Sequence, residues 1–116
     1  MNKTDIIDMW SDIQEILLSD INLVLYHKDY EDYIVAKKKL LSEDYIKKLQ
    51  AKLKETELDT DDNLFESTIK NTFIPTIKEK FSKLNESNYS NKAFTVQLEL
   101  SALIQSLIER LQREQL

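Results

Sequence analysis

Apolar residues recur along most of this chain at three- and four-residue intervals, the signature of helices that bury one flank. Ile6, Trp10, Ile13, Leu17 and Val24 fall on one side of a segment from about Asp5 to Tyr26. Asp5, Asp8, Asp12 and Glu15 repeat with the same spacing on the other side. Thr4 stands where an N-cap belongs, and Asp5 and Asp8 lie near the positive end of the helix dipole. A second helix is expected from about Tyr30 to Leu41, with Tyr30, Tyr33, Ile34, Lys37, Leu40 and Leu41 on a broad face. Ser42 then reads as an N-cap, with Glu43 and Asp44 in the next first turn and Leu41 and Ile46 placed as a hydrophobic staple. The helix it opens carries Ile46, Leu49 and Leu53 to about Thr56.

Residues 57–63 are acidic and polar and read as a linker. After them Leu64, Phe65, Ile69, Phe73, Ile77, Phe81 and Leu84 keep a roughly four-residue period through Pro75. Proline removes a helical donor and disfavours the helical state of the residue before it, here Ile74. Because the period resumes in step at Ile77, the pattern predicts one kinked helix rather than two. Residues 85–91 form a second linker, dense in side chains that bond their own backbone. A last helix from about Lys92 to Gln115 shows Val96, Leu100, Leu103, Ile104, Leu107, Ile108 and Leu111 on a wide face. The expectation is an all-α fold: one domain over residues 1–116, an antiparallel bundle of four to five helices in which the first and last pack together.

Composition sharpens this picture. The chain of 116 residues has no glycine and one proline, which disfavours β-rich folds and phosphate-cradling loops, since both draw on glycine for tight turns. It has no cysteine, so disulfides, thiolate zinc sites and cysteine nucleophiles are excluded. No apolar stretch approaches the ~18 residues a membrane helix needs, and no signal core opens the chain. A cytoplasmic location is expected. Lysine supplies 14 of the 16 basic residues, with Arg110 and Arg113 the exceptions; with the many isoleucines and asparagines this suggests an AT-rich bacterial or phage genome.

Candidate chemistry is sparse. His27 is the one histidine, so the paired Glu-x-x-His motifs of bundle di-iron sites cannot form. It reads as a polar residue favourable to the dipole at the first helix's C-terminal end. Without glycine, the Gly-x-Ser-x-Gly turn that exposes a nucleophilic serine is also absent. Asp59-x-Asp61-x-Asn63 imitates the start of an EF-hand loop, but Leu64 stands where the loop needs glycine and no glutamate stands at its twelfth position. No catalytic residue, cofactor or metal is expected, and the chain reads as non-enzymatic.

Charge is more informative. Residues 1–34 carry eight carboxylates against Lys3 and Lys28, a local net charge of −6 within an overall −5. Asp5, Asp8, Asp12 and Glu15 have the spacing of a recognition face for a basic partner, although an amphipathic helix ordinarily has such a wet side. Tyr26, Tyr30 and Tyr33 either continue one stripe or line a corner at His27-Lys28, and tyrosines there suit an interface. Residues 35–56 reverse the balance, seven lysines against three carboxylates. Lys37, Lys38, Lys39, Lys47 and Lys48 near tyrosines form a candidate basic patch, though the acidic total and the scarcity of arginine make nucleic acid an unfavoured partner.

The expected function is therefore protein–protein binding, as an inhibitor, immunity or neutralising protein of a bacterial or phage system. One alternative is a structural or assembly factor: a scaffolding protein, a chaperone or a dimeric adaptor. Leu100, Ile104, Leu107 and Leu111 have coiled-coil spacing and allow a homodimer through the C-terminal helix. The other alternative is a nucleic-acid-associated regulator acting through the lysines.

Overall fold

The structure, a computed structural model, describes residues 3–54 and 62–114. Its elements are α1 (Lys3–Leu25), α2 (Tyr30–Leu40), α3 (Glu43–Lys54), α4 (Asp62–Thr68), a π-helical turn (Ile69–Phe73), α5 (Ile74–Phe81) and α6 (Tyr89–Glu114). All regular structure among the described residues is helical, as the sequence predicts. α1 is the hub: it packs most extensively on α6 and also contacts α2 and α3. The Gln112 side chain donates to the Ile7 carbonyl and the Ser11 hydroxyl at 3.0 and 3.2 Å, tying the end of α6 to the start of α1. At the other end the Tyr89 hydroxyl donates to the His27 carbonyl. The two longest helices are therefore antiparallel, in a molecule of 47 × 25 × 20 Å.

The helical periods place the core. Trp10, Ile13, Leu17 and Val24 are buried, together with Met9, Ile21 and Leu25, while the side chain of Ile6 lies outside the described ones. Ile46, Leu49 and Leu53 are buried from α3, and Val96, Leu100, Ile104 and Ile108 from α6. Each such side chain stabilises the fold by about 1.5–3 kcal/mol relative to exposure.

The run through Pro75 is one helical rod with an irregular middle. Backbone angles are helical at Thr68, Phe73 and Ile74, and the Ile74 N–H bonds to Ile69, five residues back. A proline ring clashes with the carbonyl four residues before it, and the wider π turn relieves that clash immediately ahead of Pro75. Thr76 Oγ1 then donates to the Thr72 carbonyl at 2.9 Å. Phe65, Ile69, Phe73, Ile77, Phe81 and Leu84 stay buried throughout, and Trp10 stacks on Phe73 with ring centroids 6.2 Å apart.

Several boundaries differ from expectation. α1 begins at Lys3, so Thr4 lies inside the helix rather than capping it. Ser42 turns its hydroxyl back to the Lys39 carbonyl (2.7 Å), closing α2 instead of capping α3. α4 starts at Asp62, within the expected linker; Asp59 and Asp61 lie outside the described residues. α6 starts at Tyr89, three residues early, because the asparagines ahead of it build a compact start. Asn85 and Asn88 exchange side-chain-to-backbone bonds of 2.8 and 2.9 Å.

Candidate functional site

The five tyrosines separate into inside and outside. α1 ends at Leu25 and α2 begins at Tyr30, so the chain turns a corner at residues 26–29. Tyr33 enters the core, stacked on Tyr89 (centroids 4.7 Å apart) and edge-on to Phe81. Its hydroxyl donates to the Phe81 carbonyl at 3.4 Å, and burial pushes its phenol far above the ordinary tyrosine range. The expectation that Tyr33 offers a partner surface is thus corrected: the ring is fully buried. Tyr30 is half-buried against Tyr33 and Tyr89. Tyr26, at 83% exposure, stands in solvent.

The basic patch loses its aromatic component. Lys37 sits 5.5 Å from the centroid of the buried Tyr33 ring. Tyr45 is buried and donates to Asp20 at 2.7 Å; burial and that bond push its phenol far up, and Lys52 approaches the same carboxylate at 3.6 Å. Lys38, Lys39, Lys47 and Lys48 are exposed. Being consecutive on their helices, they project about 100° apart and share no single face.

The acidic face, in contrast, is drawn together. Asp8 and Glu15 are exposed and Asp12 and Asp5 partly so. No cation lies within ion-pair distance of Asp8, Asp12 or Glu15 among the described residues. The Asp12 carboxyl is held above its ordinary range, first by partial burial and then by the charges of Asp8 and Glu15. Three carboxylates therefore crowd one flank, with no ion-pair partner among the described residues.

That flank continues into apolar surface. Asp8, Asp12, Glu15, Ser19, Asn22 and Tyr26 are spaced alternately four and three apart and run along α1 as one stripe. Two open recesses flank its C-terminal half. One, of about 460 Å³, lies between the end of α1 and the start of α6 and includes Asn22, Tyr26, Ala93 and Phe94. The other includes Glu15, Leu18, Asn22 and Leu23. Asn22 and Tyr26 belong to both. Of the lining residues Phe94 is 67% exposed and Leu23 62%; further along α6, Leu98 is 55% exposed. Phe94 and Leu98 are one helical turn apart, on the side of α6 away from Val96 and Leu100.

Sequence reasoning found the carboxylates and Tyr26 but missed Leu23, Phe94 and Leu98. The signal was present: Phe94 and Leu98 form an apolar pair out of phase with the main face of α6. The coiled-coil positions of α6 are occupied within the monomer, where Leu100 and Ile104 are buried and Leu107 and Leu111 pack against the core. Among the described residues no group of three or more histidines, aspartates and glutamates is gathered to hold a metal ion, and no helix is long and apolar enough to cross a membrane. Comparison with protein-family models, with curated proteins and with solved structures finds no match for the chain.

Proposed function

We propose that this chain is a non-enzymatic protein-binding module whose outer face of α1 engages a basic partner protein. The observation that carries the reading is the row Asp8, Asp12 and Glu15, three carboxylates without a described cation, leading into the bare apolar side chains around Tyr26. Uncompensated charge of one sign raises association rates with the opposite sign, and an adjoining apolar area supplies the burial that slows dissociation. Binding of this kind suits inhibition or neutralisation of a partner that itself handles polyanions, in the manner of an immunity protein of a bacterial or phage system. A cytoplasmic setting fits that role.

The test is affinity capture from the native host with the wild-type chain and with the triple variant Asp8→Lys, Asp12→Lys, Glu15→Lys. The expected result is one basic protein held by the wild type, released by raised salt and lost from the variant. A Lys37→Glu, Lys38→Glu, Lys39→Glu variant should retain it. Capture that survives reversal of the α1 charges, or that depends on the lysines, contradicts the reading.

A further inference from the structure

We infer that the groove between the C-terminal half of α1 and the N-terminal part of α6 receives an amphipathic helix of the partner, its cationic end lying over Asp8, Asp12 and Glu15. This rests on the reading that the chain acts by binding protein, and it names the shape and charge of the bound segment. Three features of the surface carry it.

The first is periodicity. The outer stripe of α1 keeps a four-three alternation over five steps, from Asp8 to Tyr26. That spacing averages 3.6 residues, the repeat of the α-helix itself, so the six positions stay on one side along its length. The inner face of α1 already packs on α2, α3 and α6, so the stripe is a second seam without a helix against it among the described residues.

The second is the shape and chemistry of the floor. α1 and α6 run side by side and antiparallel, and the ridges of two adjacent helices leave a furrow that accepts a third. Tyr26 and Phe94 line that furrow, each more than half exposed. Asn22 lies where the two recesses meet, and its Oδ1 is buried without a hydrogen-bond partner.

The third is the distribution of charge, which selects the occupant. The carboxylates lie toward the start of α1, whereas His27 and Lys28 follow its end. The occupant's cationic end therefore lies over Asp8–Glu15 and its other end near Lys28. A second copy of this chain fits poorly. Its own stripe would bring three further carboxylates against Lys28 alone, and each copy carries −5.

The experiment uses the full chain and a synthetic helical peptide with leucines along one face and lysines in two turns at one end. Control peptides replace those lysines with glutamine, or interrupt the helix with proline. Nuclear magnetic resonance titration reads the affinity and the residues that shift. The expected result is saturable binding that moves Leu18, Asn22, Tyr26 and Phe94 and leaves Lys38 and Lys48 unmoved. Affinity should fall by about tenfold for Phe94→Ser and again for Tyr26→Ser, each removing one large apolar contact. Both positions are exposed, and an unchanged circular dichroism spectrum and melting midpoint certify the fold. The lysine-free and proline-broken peptides should bind at least tenfold more weakly.

Equal binding of all three peptides, no saturable binding, or concentration-dependent dimerisation through Phe94 overturns the inference. If the peptide binds and only Asp8, Asp12 and Glu15 shift, the groove is refuted while the acidic face stands. If neutralising those carboxylates to Asn, Asn and Gln leaves affinity and salt dependence unchanged, the underlying functional reading fails as well.

Discussion

Two aromatic groups lie at the same end of this bundle and meet opposite fates. Tyr33, Tyr89 and Phe81 interlock in the interior, with both tyrosine hydroxyls donating to backbone carbonyls. Tyr26 and Phe94, close by in sequence to Tyr30 and Tyr89, meet at an open recess with most of their area in water. The chain had the means to bury both groups, and it buried the one whose polar tips find partners there. The inner group holds the corner between α1 and α2; the outer group leaves apolar area beside uncompensated charge. Size and aromaticity are common to the two, so it is the direction set by the helix ends that separates structural from presented residues.

The sharpest way to break this comparison is to remove one ring from each group. Tyr33→Ala should cost about 3–5 kcal/mol of unfolding free energy, the range for an aromatic deleted from a packed core. Tyr26→Ala or Phe94→Ala should change it by no more than about 0.5 kcal/mol. Chemical denaturation of the three variants against wild type measures both, and comparable losses at Tyr33 and Phe94 would make the outer pair structural.

Alkaline titration separates the groups by a second route. The Tyr33 and Tyr45 phenols are raised in the fold above their ordinary value of 10.0, in both cases first by burial. The folded state thus retains protons that the unfolded chain releases. Its stability is complete below that value and falls as pH rises past it. Phenolate absorbance from these two rings should therefore appear together with loss of helical circular dichroism. Early titration of all five tyrosines in a chain that stays folded would contradict their placement.

The smallest effect belongs to the acidic row. Asp12→Asn removes one of three crowded charges at a partly exposed site, and at neutral pH it should stabilise by a few tenths of a kcal/mol. The sign follows from a carboxyl raised in the fold: protonation favours the native state, so wild type recovers the deficit as pH falls through the carboxylate range. Melting midpoints of the two chains should converge in acid; a gap that widens there would mean Asp12 has a stabilising partner.

Most of the fold was legible because its core lies on regular helices. The series Phe65, Ile69, Phe73, Ile77 and Phe81 declares its buried side by period alone and carries through Pro75 because a π turn absorbs the misfit. Caps were less legible, since Ser42 can serve the helix before it as readily as the one after. Tyr33 was misplaced because tyrosine suits core and interface equally, and its direction depends on how the chain leaves Leu25. The carboxylate row was visible in the sequence. The apolar surface beside it was not, because Phe94 and Leu98 come from a helix some seventy residues away from Tyr26 in the chain.

The central claim is that the outer face of α1, and not the lysine-rich helices, meets the partner. A photo-crosslinker placed at Ser19, midway along the stripe, tests it against the same group at Lys38 on α2. In host extract, Ser19 should crosslink to one basic protein, excluded by excess unlabelled chain, while Lys38 should give no such product. Equal crosslinking from both positions, or a product from Lys38 alone, would contradict the account.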